Sequence, residues 1–426
     1  MQNQIPKNWQ KDNLENLLDI LIDHRGITPK KLGGDWSASG IPALSAKNIK
    51  TGKIVNEQDI RFVSQKLYEK WMPEKLEDGD VLLTSEAPLG ELYFLKEKKD
   101  YVLSQRLFAL RTNRKKLNSR YLYYYLQGSI GHQELLRRLS GTAAEGIRQA
   151  ELRKINVEFP EHILEQEKIA SVISAFDNKI EVNNKIAKNL EEMAQTIFKE
   201  WFVKFKFPGY EKVEFVDSEL GRIPKRWEVK KIKDIAKINK GLSYSSTEID
   251  GRSNGLPMIN LANFLRGGGF NPLGSKSYSG KYNQSHLVKP GDIIIAMTDL
   301  TSNREVIGHP ARVPFYSHWD KILISLDACS VDTNELYIEF LYYLMLRKDF
   351  SYKMASSANG TNVSHLSKSM IEDYIFVLPE NSLIKKLQDF VGPIFNNVNK
   401  IEQENQKLAA LRDLLLPKLM SGETRV

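Results

Sequence analysis

A duplication runs through this chain, and it fixes the architecture before any local pattern does, because two copies of one segment require two copies of one fold. Ile5-Pro6-Lys7-Asn8-Trp9 returns as Ile223-Pro224-Lys225-Arg226-Trp227, and the run Gly40-Ile41-Pro42-Ala43-Leu44 returns as Gly255-Leu256-Pro257-Met258-Ile259. Asp78-Gly79-Asp80-Val81-Leu82-Leu83 is matched by Pro290-Gly291-Asp292-Ile293-Ile294-Ile295, a turn feeding a buried strand. The aromatic stretch Tyr121-Leu122-Tyr123-Tyr124-Tyr125-Leu126 is matched by Phe340-Leu341-Tyr342-Tyr343-Leu344, and Gly141-Thr142 by Gly360-Thr361. Order is preserved throughout, and the two Gly-Thr pairs stand 219 residues apart.

After each copy the texture changes. Ile169, Ile173, Phe176, Ile180, Ala187, Leu190, Ala194, Ile197 and Trp201 keep the three-and-four spacing of a coiled-coil seam, broken only by Asn183. In the second copy Phe390, Ile394, Ile401, Leu408, Leu411 and Leu415 hold the equivalent places, with Glu404 aligned to Asn183. Each stripe predicts a helix of about 35 residues, roughly 50 Å long, more than one face of a domain this size requires. The expected partner of each is the other, running antiparallel. Phe198, Phe202, Leu416 and Leu419, at the helix ends, exceed what a two-helix seam covers and suit partner docking, although Trp201 and Phe202 are equally suited to packing on the linker that follows.

The resulting division is a first globular domain over 1–160, a central long helix over 161–207, a linker over 208–222, a second domain over 223–380 and a last helix over 381–426. The predicted fold class is α+β, with two similar globular domains separated by two long antiparallel coiled-coil helices, a pseudo-twofold internal repeat.

Hydrophobic residues make up 41% of the 426, enough to bury real cores, and 61 Lys and Arg over 53 Asp and Glu leave a net charge of +8 that favours a polyanionic partner. Cys329 is the only cysteine, which excludes an intrachain disulfide and a cysteine-based zinc site. No run approaches a membrane span and no basic-then-apolar leader precedes Trp9, so a soluble, cytoplasmic protein is expected.

A search for chemistry returns no active site. Asp80, Glu97 and Lys99 have the residue types of a metal-dependent nuclease, but the second copy keeps only Asp292 and offers Ser302-Asn303-Arg304-Glu305 for the rest. Gly269 to Ser277 resembles a phosphate loop, with Ser275 displacing Lys276 and Pro272 removing an amide donor. No Asn-Pro-Pro-aromatic tetrapeptide of amino-methyltransferases occurs, and His24, His132 and His365 lack ligand spacing. No catalytic residue, metal or cofactor is expected.

The alternation of domain and helix, with Gly141-Thr142, Leu164-Glu165-Gln166-Glu167-Lys168-Ile169-Ala170 and the terminal Leu414-Leu415-Leu416-Pro417-Lys418-Leu419-Met420-Ser421-Gly422-Glu423, resembles the specificity subunit of type I restriction-modification systems. The resemblance covers nearly the whole chain. It implies two target recognition domains on the two halves of an interrupted site in double-stranded DNA. It further implies helices that act as a ruler and dock two modification (methyltransferase) subunits, with restriction/translocase subunits joining the full complex. Methylation and cleavage then belong to partner chains.

Base edges are read by donors and acceptors outside the core. The candidates are Ser45, Lys47, Asn48, Ser85, Gln105 and Arg106 in the first domain, and Asn260, Asn263, Thr298, Asn303, Arg304 and Lys321 in the second. Asn48 and Asn263 are equally suited to holding their own turns. Arg111, Arg114, Lys115 and Lys116, with Lys225, Arg226, Lys230, Lys231 and Lys233, suit phosphates or a solvated face. The rival readings are a scaffold that joins proteins through its coiled coil, and an enzyme, either a nuclease or a fused methyltransferase.

Overall fold

The computed structural model describes residues 6–139, 146–250, 255–301, 303–315, 321–360 and 363–426. Of the repeated motifs, Ile5, Gly141-Thr142, Ser302 and Thr361 lie outside them. Two compact units result, 1–181 with 406–426, and 182–405. Their boundary passes through both long helices, Ile163–Phe198 and Asn381–Met420.

Gly79 and Gly291 both take the left-handed φ, 84° and 91°, that a side chain resists, and each turn launches a strand buried on both faces, Val81–Thr84 or Ile293–Ala296. In the first unit this strand sits in an antiparallel sheet ordered Leu18–Asp23, Leu107–Thr112, Val81–Thr84, Leu92–Phe94. In the second the order is Ala236–Lys240, Ala328–Thr333, Ile293–Ala296, Pro310–Arg312, the same topology. A second sheet repeats the match. Ile41–Leu44 pairs in parallel with Val102–Leu103 (Ala43 opposite Val102), and Leu256–Ile259 pairs in parallel with Ile322–Ile324 (Met258 opposite Leu323). A two-stranded ribbon closes each domain, Trp9–Asn13 with Asn156–Pro160 and Glu228–Lys231 with Ile375–Leu378.

The aromatic runs are helices, Ser119–Gln127 and Ile338–Met345. Asn118 caps the first by accepting from the amides of Arg120 and Tyr121. Its four tyrosines are buried, and three hydroxyls have named partners: Tyr121 donates to the Glu158 carbonyl at 2.9 Å, Tyr125 to that of Asn156 at 3.0 Å, and Tyr124 to Asp177 Oδ2 at 2.7 Å.

The long helices run antiparallel. Within the second unit Asn183 meets Glu404 while Trp201 packs edge-on against Phe390, so numbering rises along one helix as it falls along the other. In the first unit Asp177 accepts from Arg412 Nη1 at 2.8 Å. Of the residues expected in the seam, Ile173 and Asn183 are buried, and Phe176, Ile180, Leu190, Ile197, Ile394, Ile401, Leu408 and Leu415 are half-buried.

Two expectations are corrected here. Leu411 and Phe390 are 48% and 58% exposed, so neither is enclosed in the seam. Phe198, Leu416 and Leu419, expected at the surface, are at most 6% exposed, and Phe202, suited to both docking and internal packing, is 7% exposed. The helix ends do not continue the two-helix seam but enter domain cores. Phe198 and Phe202 pack on Phe340 and Trp227, and Leu416, Leu419 and Met420 join the tyrosine helix and Ile169 in the core of the first unit. Each such side chain contributes roughly 1.5–3 kcal/mol of burial, which ties the end of one repeat's helix to the core of the other repeat's domain. Among the described residues, no helix is long and apolar enough to cross a membrane.

Candidate nucleic-acid interface

The loop Ser104-Gln105-Arg106 leaves the strand Val102–Leu103 of one sheet and enters the strand Leu107–Thr112 of the other, which puts it at an edge shared by both sheets. Three backbone bonds fix it. The Ser104 amide donates to the Leu44 carbonyl at 2.8 Å, the Ala46 amide to the Gln105 carbonyl at 3.1 Å, and the Ser85 amide to the Arg106 carbonyl at 2.9 Å. The next segment follows by a bond from the Ile147 amide to the Ser85 carbonyl, 2.9 Å. Four separate stretches of chain are thereby gathered at one edge.

Of the residues expected there, Lys47, Gln105 and Arg106 are exposed and Ser45 is half-buried. Arg106 holds a left-handed φ of 66° and pairs with Glu86 at 3.1 Å. A bulky residue at that φ is strained, and such strain persists where the surrounding bonds over-determine it. Asn48 and Ser85 are not presented. Asn48 is buried, its Oδ1 accepting from the Ser45 amide at 3.1 Å and its Nδ2 directed to the Val55 and Asn56 carbonyls. Ser85 is fully buried, and its hydroxyl has no hydrogen-bond partner.

In the second domain the same turn is held by Asn260 and Asn263. Asn263 accepts from the Asn260 amide at 2.9 Å and donates to the Asn271 carbonyl and Ser275 Oγ, both at 2.9 Å, while Asn260 Nδ2 donates to the Gly274 carbonyl at 2.6 Å. Both are buried. Thr298 is buried as well and donates to Asp327 Oδ1 at 3.0 Å. Asn303 is exposed; Arg304, with φ of 54°, is anchored through Nε to Ser364 Oγ at 3.1 Å and through Nη1 to the Ala355 carbonyl at 2.6 Å. Lys321 is exposed but precedes the strand Ile322–Ile324, at the end remote from Ser325. Asp299 is a structural carboxylate. Burial alone would raise its pKa, yet bonds from Thr301 and from the Val306 and Ile307 amides outweigh this and hold it below the usual range.

Several basic candidates are already neutralised. Arg111 is buried and bound to Asp80 at 2.9 Å, Lys231 and Lys233 share Asp373, Lys225 pairs with Glu214, and Lys230 with Glu228. Arg226 makes only a long contact of 3.8 Å with Glu380, and Lys115 is exposed. The nuclease constellation does not assemble, since Asp80 is fully buried on Arg111 while Glu97 is an exposed partner of Lys99. Among the described residues no group of three or more His, Cys, Asp or Glu is placed to hold a metal.

Sequence reasoning overlooks Glu86, Asp327 and Leu326, and also Arg25, whose guanidinium lies 4.0 Å from the Phe108 ring centre, pairs with Asp23 and donates to the Ile147 carbonyl. The signal for Leu326 and Asp327 was the repeat itself, which aligns Ser104-Gln105-Arg106 with Ser325-Leu326-Asp327.

The family model for the type I restriction modification DNA specificity domain matches residues 6–192 and again 224–411. The MjaIX specificity subunit of a type I restriction enzyme from Methanocaldococcus jannaschii is 26% identical, over 99% of this chain and 95% of its own length. The HindI specificity subunit from Haemophilus influenzae is 22% identical over 87% of this chain and 90% of its own. Among solved structures, the S subunit of a type I restriction-modification system from M. genitalium superposes with a TM-score of 0.57 at 16% identity, covering 98% of this chain and 97% of that one, a likeness of fold.

Proposed function

Because the chain belongs to the type I restriction-modification DNA specificity family, we propose that it reads a two-part site in double-stranded DNA, one domain to each half-site. The observation that carries this reading is the double match of one DNA-specificity family to two domains whose four-stranded sheets have the same strand order. Each domain gathers loops from distant parts of its sequence at one sheet edge, which is what reading several adjacent base pairs requires. The net charge of +8 adds the non-specific attraction that brings such a reader to DNA.

The subunit is non-catalytic on this reading. Modification subunits dock on the long helices, where Val182, Ile186 and Met193 are 50%, 43% and 56% exposed on the first helix, and restriction/translocase subunits complete the assembly. The number of helical turns sets the unread spacer between the half-sites. The deciding experiment is to purify the chain with its modification partner and map the adenines it methylates in genomic DNA. A bipartite motif with a fixed unread gap is expected; a continuous motif, or methyl transfer by this chain alone, would overturn the proposal.

A further inference from the structure

Three of the four backbone bonds around Ser104-Gln105-Arg106 are rebuilt around Ser325-Leu326-Asp327; the bond from the Ala46 amide to the Gln105 carbonyl has no counterpart among the described residues. The Ser325 amide donates to the Ile259 carbonyl at 2.8 Å as that of Ser104 does to Leu44, and the Met297 amide donates to the Asp327 carbonyl at 2.7 Å as that of Ser85 does to Arg106. The Leu366 amide then bonds the Met297 carbonyl at 2.8 Å, as that of Ile147 bonds Ser85. Both tripeptides join a strand of the parallel-paired sheet to the central pair of the four-stranded sheet. The two tripeptides therefore occupy equivalent places between the same two sheets, although Arg106 takes a left-handed φ of 66° that Asp327 does not share.

What they display differs in kind. The first domain offers an exposed carboxamide and an exposed guanidinium, Gln105 and Arg106. The second offers Leu326, 48% exposed although its neighbours Ile324 and Ser325 are fully buried, and the carboxylate of Asp327. Asp327 is held in place by Thr298 at 3.0 Å on one oxygen and Ser325 Oγ at 3.2 Å on the other, and a carboxylate retains further lone pairs beyond those two. An apolar side chain standing clear of the core beside an oriented acceptor has no evident part in folding.

We propose that these matched positions determine base specificity with opposite polarity. Gln105 and Arg106 read adenine and guanine, whereas Leu326 packs on a thymine methyl and Asp327 accepts from the amino group of cytosine. The chemistry follows the major-groove pattern, in which amides and guanidinium groups pair with purine edges while methyl contacts and carboxylates suit pyrimidines. The first domain thus meets its base pairs from the purine side and the second from the pyrimidine side. This inference rests on the proposed DNA-reading function and adds the residues that carry it.

The test selects binders from duplexes of randomised sequence, using the full chain in complex with its modification partner. For the doubly substituted variant Leu326→Gln, Asp327→Arg, the expected result is inversion of one or two base pairs, T·A to A·T or C·G to G·C, in one half-site. The other half-site and the gap stay unchanged. An unaltered motif, changes in both half-sites, or a folded variant that binds every duplex equally would each overturn the assignment.

A DNA-side measurement avoids any effect on folding. Replacing one thymine of that half-site by uracil removes a single methyl, which is expected to weaken binding of the unmodified protein about fourfold and to leave Leu326→Ala unaffected. No effect of uracil at any thymine of the half-site would also overturn the assignment. Failure of the unmodified complex to select any bipartite motif sinks the functional reading itself, which keeps the two failures apart.

Discussion

Asn183 and Glu404 are copies of one another in the duplicated sequence, 221 residues apart, and in the folded protein Asn183 Nδ2 donates to Glu404 Oε2 at 2.8 Å. Asn405 and Asn184, separated by the same 221, repeat the relation with a bond of 3.0 Å from Asn405 Nδ2 to Asn184 Oδ1. A residue meets its own copy only where antiparallel duplicated helices cross, so these four polar side chains mark that crossing. Asn183 is 1% exposed and also donates to Asn405 Oδ1 at 2.9 Å.

A polar residue in an apolar stripe selects one register at some cost in stability. Replacing Asn183 with Ala is expected to lower the stability of the helix pair by about 1 kcal/mol, read as a shift in urea midpoint. Asn183→Leu has the opposite expectation, equal or higher stability with loss of a unique register. Cysteines placed at 184 and 405 should crosslink cleanly in the otherwise native chain. In the Leu variant they should compete with pairings one turn away, and a single clean crosslink there would refute the register role.

Asp177 joins three elements, accepting from Tyr124 Oη at 2.7 Å and from Arg412 Nη1 at 2.8 Å. Burial and the nearby carboxylate both hold the Tyr124 hydroxyl protonated, so it stays a donor through the neutral range. Asp177→Ala removes both bonds and is expected to cost about 1–3 kcal/mol, with faster proteolytic cleavage near Arg412. Cleavage rates equal to those of the native chain would show that apolar contacts alone hold the segment.

Cys329 lies fully buried in the strand Ala328–Thr333, and burial pushes its thiol up to about 12. The reactive thiolate is then roughly a 10⁻⁴ fraction at pH 8, quite apart from the steric block. Labelling by a thiol reagent should follow unfolding of the second domain, with one thiol appearing across the denaturation transition. Rapid stoichiometric labelling under native conditions would contradict this packing.

Removing seven residues from each long helix shortens each by about 10 Å, close to the rise of three base pairs. On the proposed function the unread gap should shorten while both half-sites stay the same, as read by methylation mapping. An unchanged gap in an active variant would eliminate the helices as its determinant.

The duplication, the two long helices and the turns at Gly79 and Gly291 were legible in the sequence, since each rests on a local pattern of apolar spacing or turn chemistry. The destination of the helix ends was not. Phe202 and Leu419 look like surplus on a two-helix seam, and only long-range packing against Trp227 and the tyrosine helix explains them. At the interface, residue type misled in both directions. Asn260 and Asn263 have the chemistry of base readers yet are buried in a turn, whereas Leu326 has the chemistry of a core residue yet is exposed. Exposure depends on which strands flank a loop, and a single sequence carries no record of that.

The entry of Leu416, Leu419 and Met420 into the core around Tyr121 has a consequence for biosynthesis. On the ribosome the amino-terminal domain emerges early and lacks its last apolar contributors until the carboxyl-terminal helix has been made. It must wait as an incomplete intermediate, with part of its interior facing solvent or a chaperone. A nonsense codon just ahead of Leu416 would therefore injure the portion of the protein that was translated first.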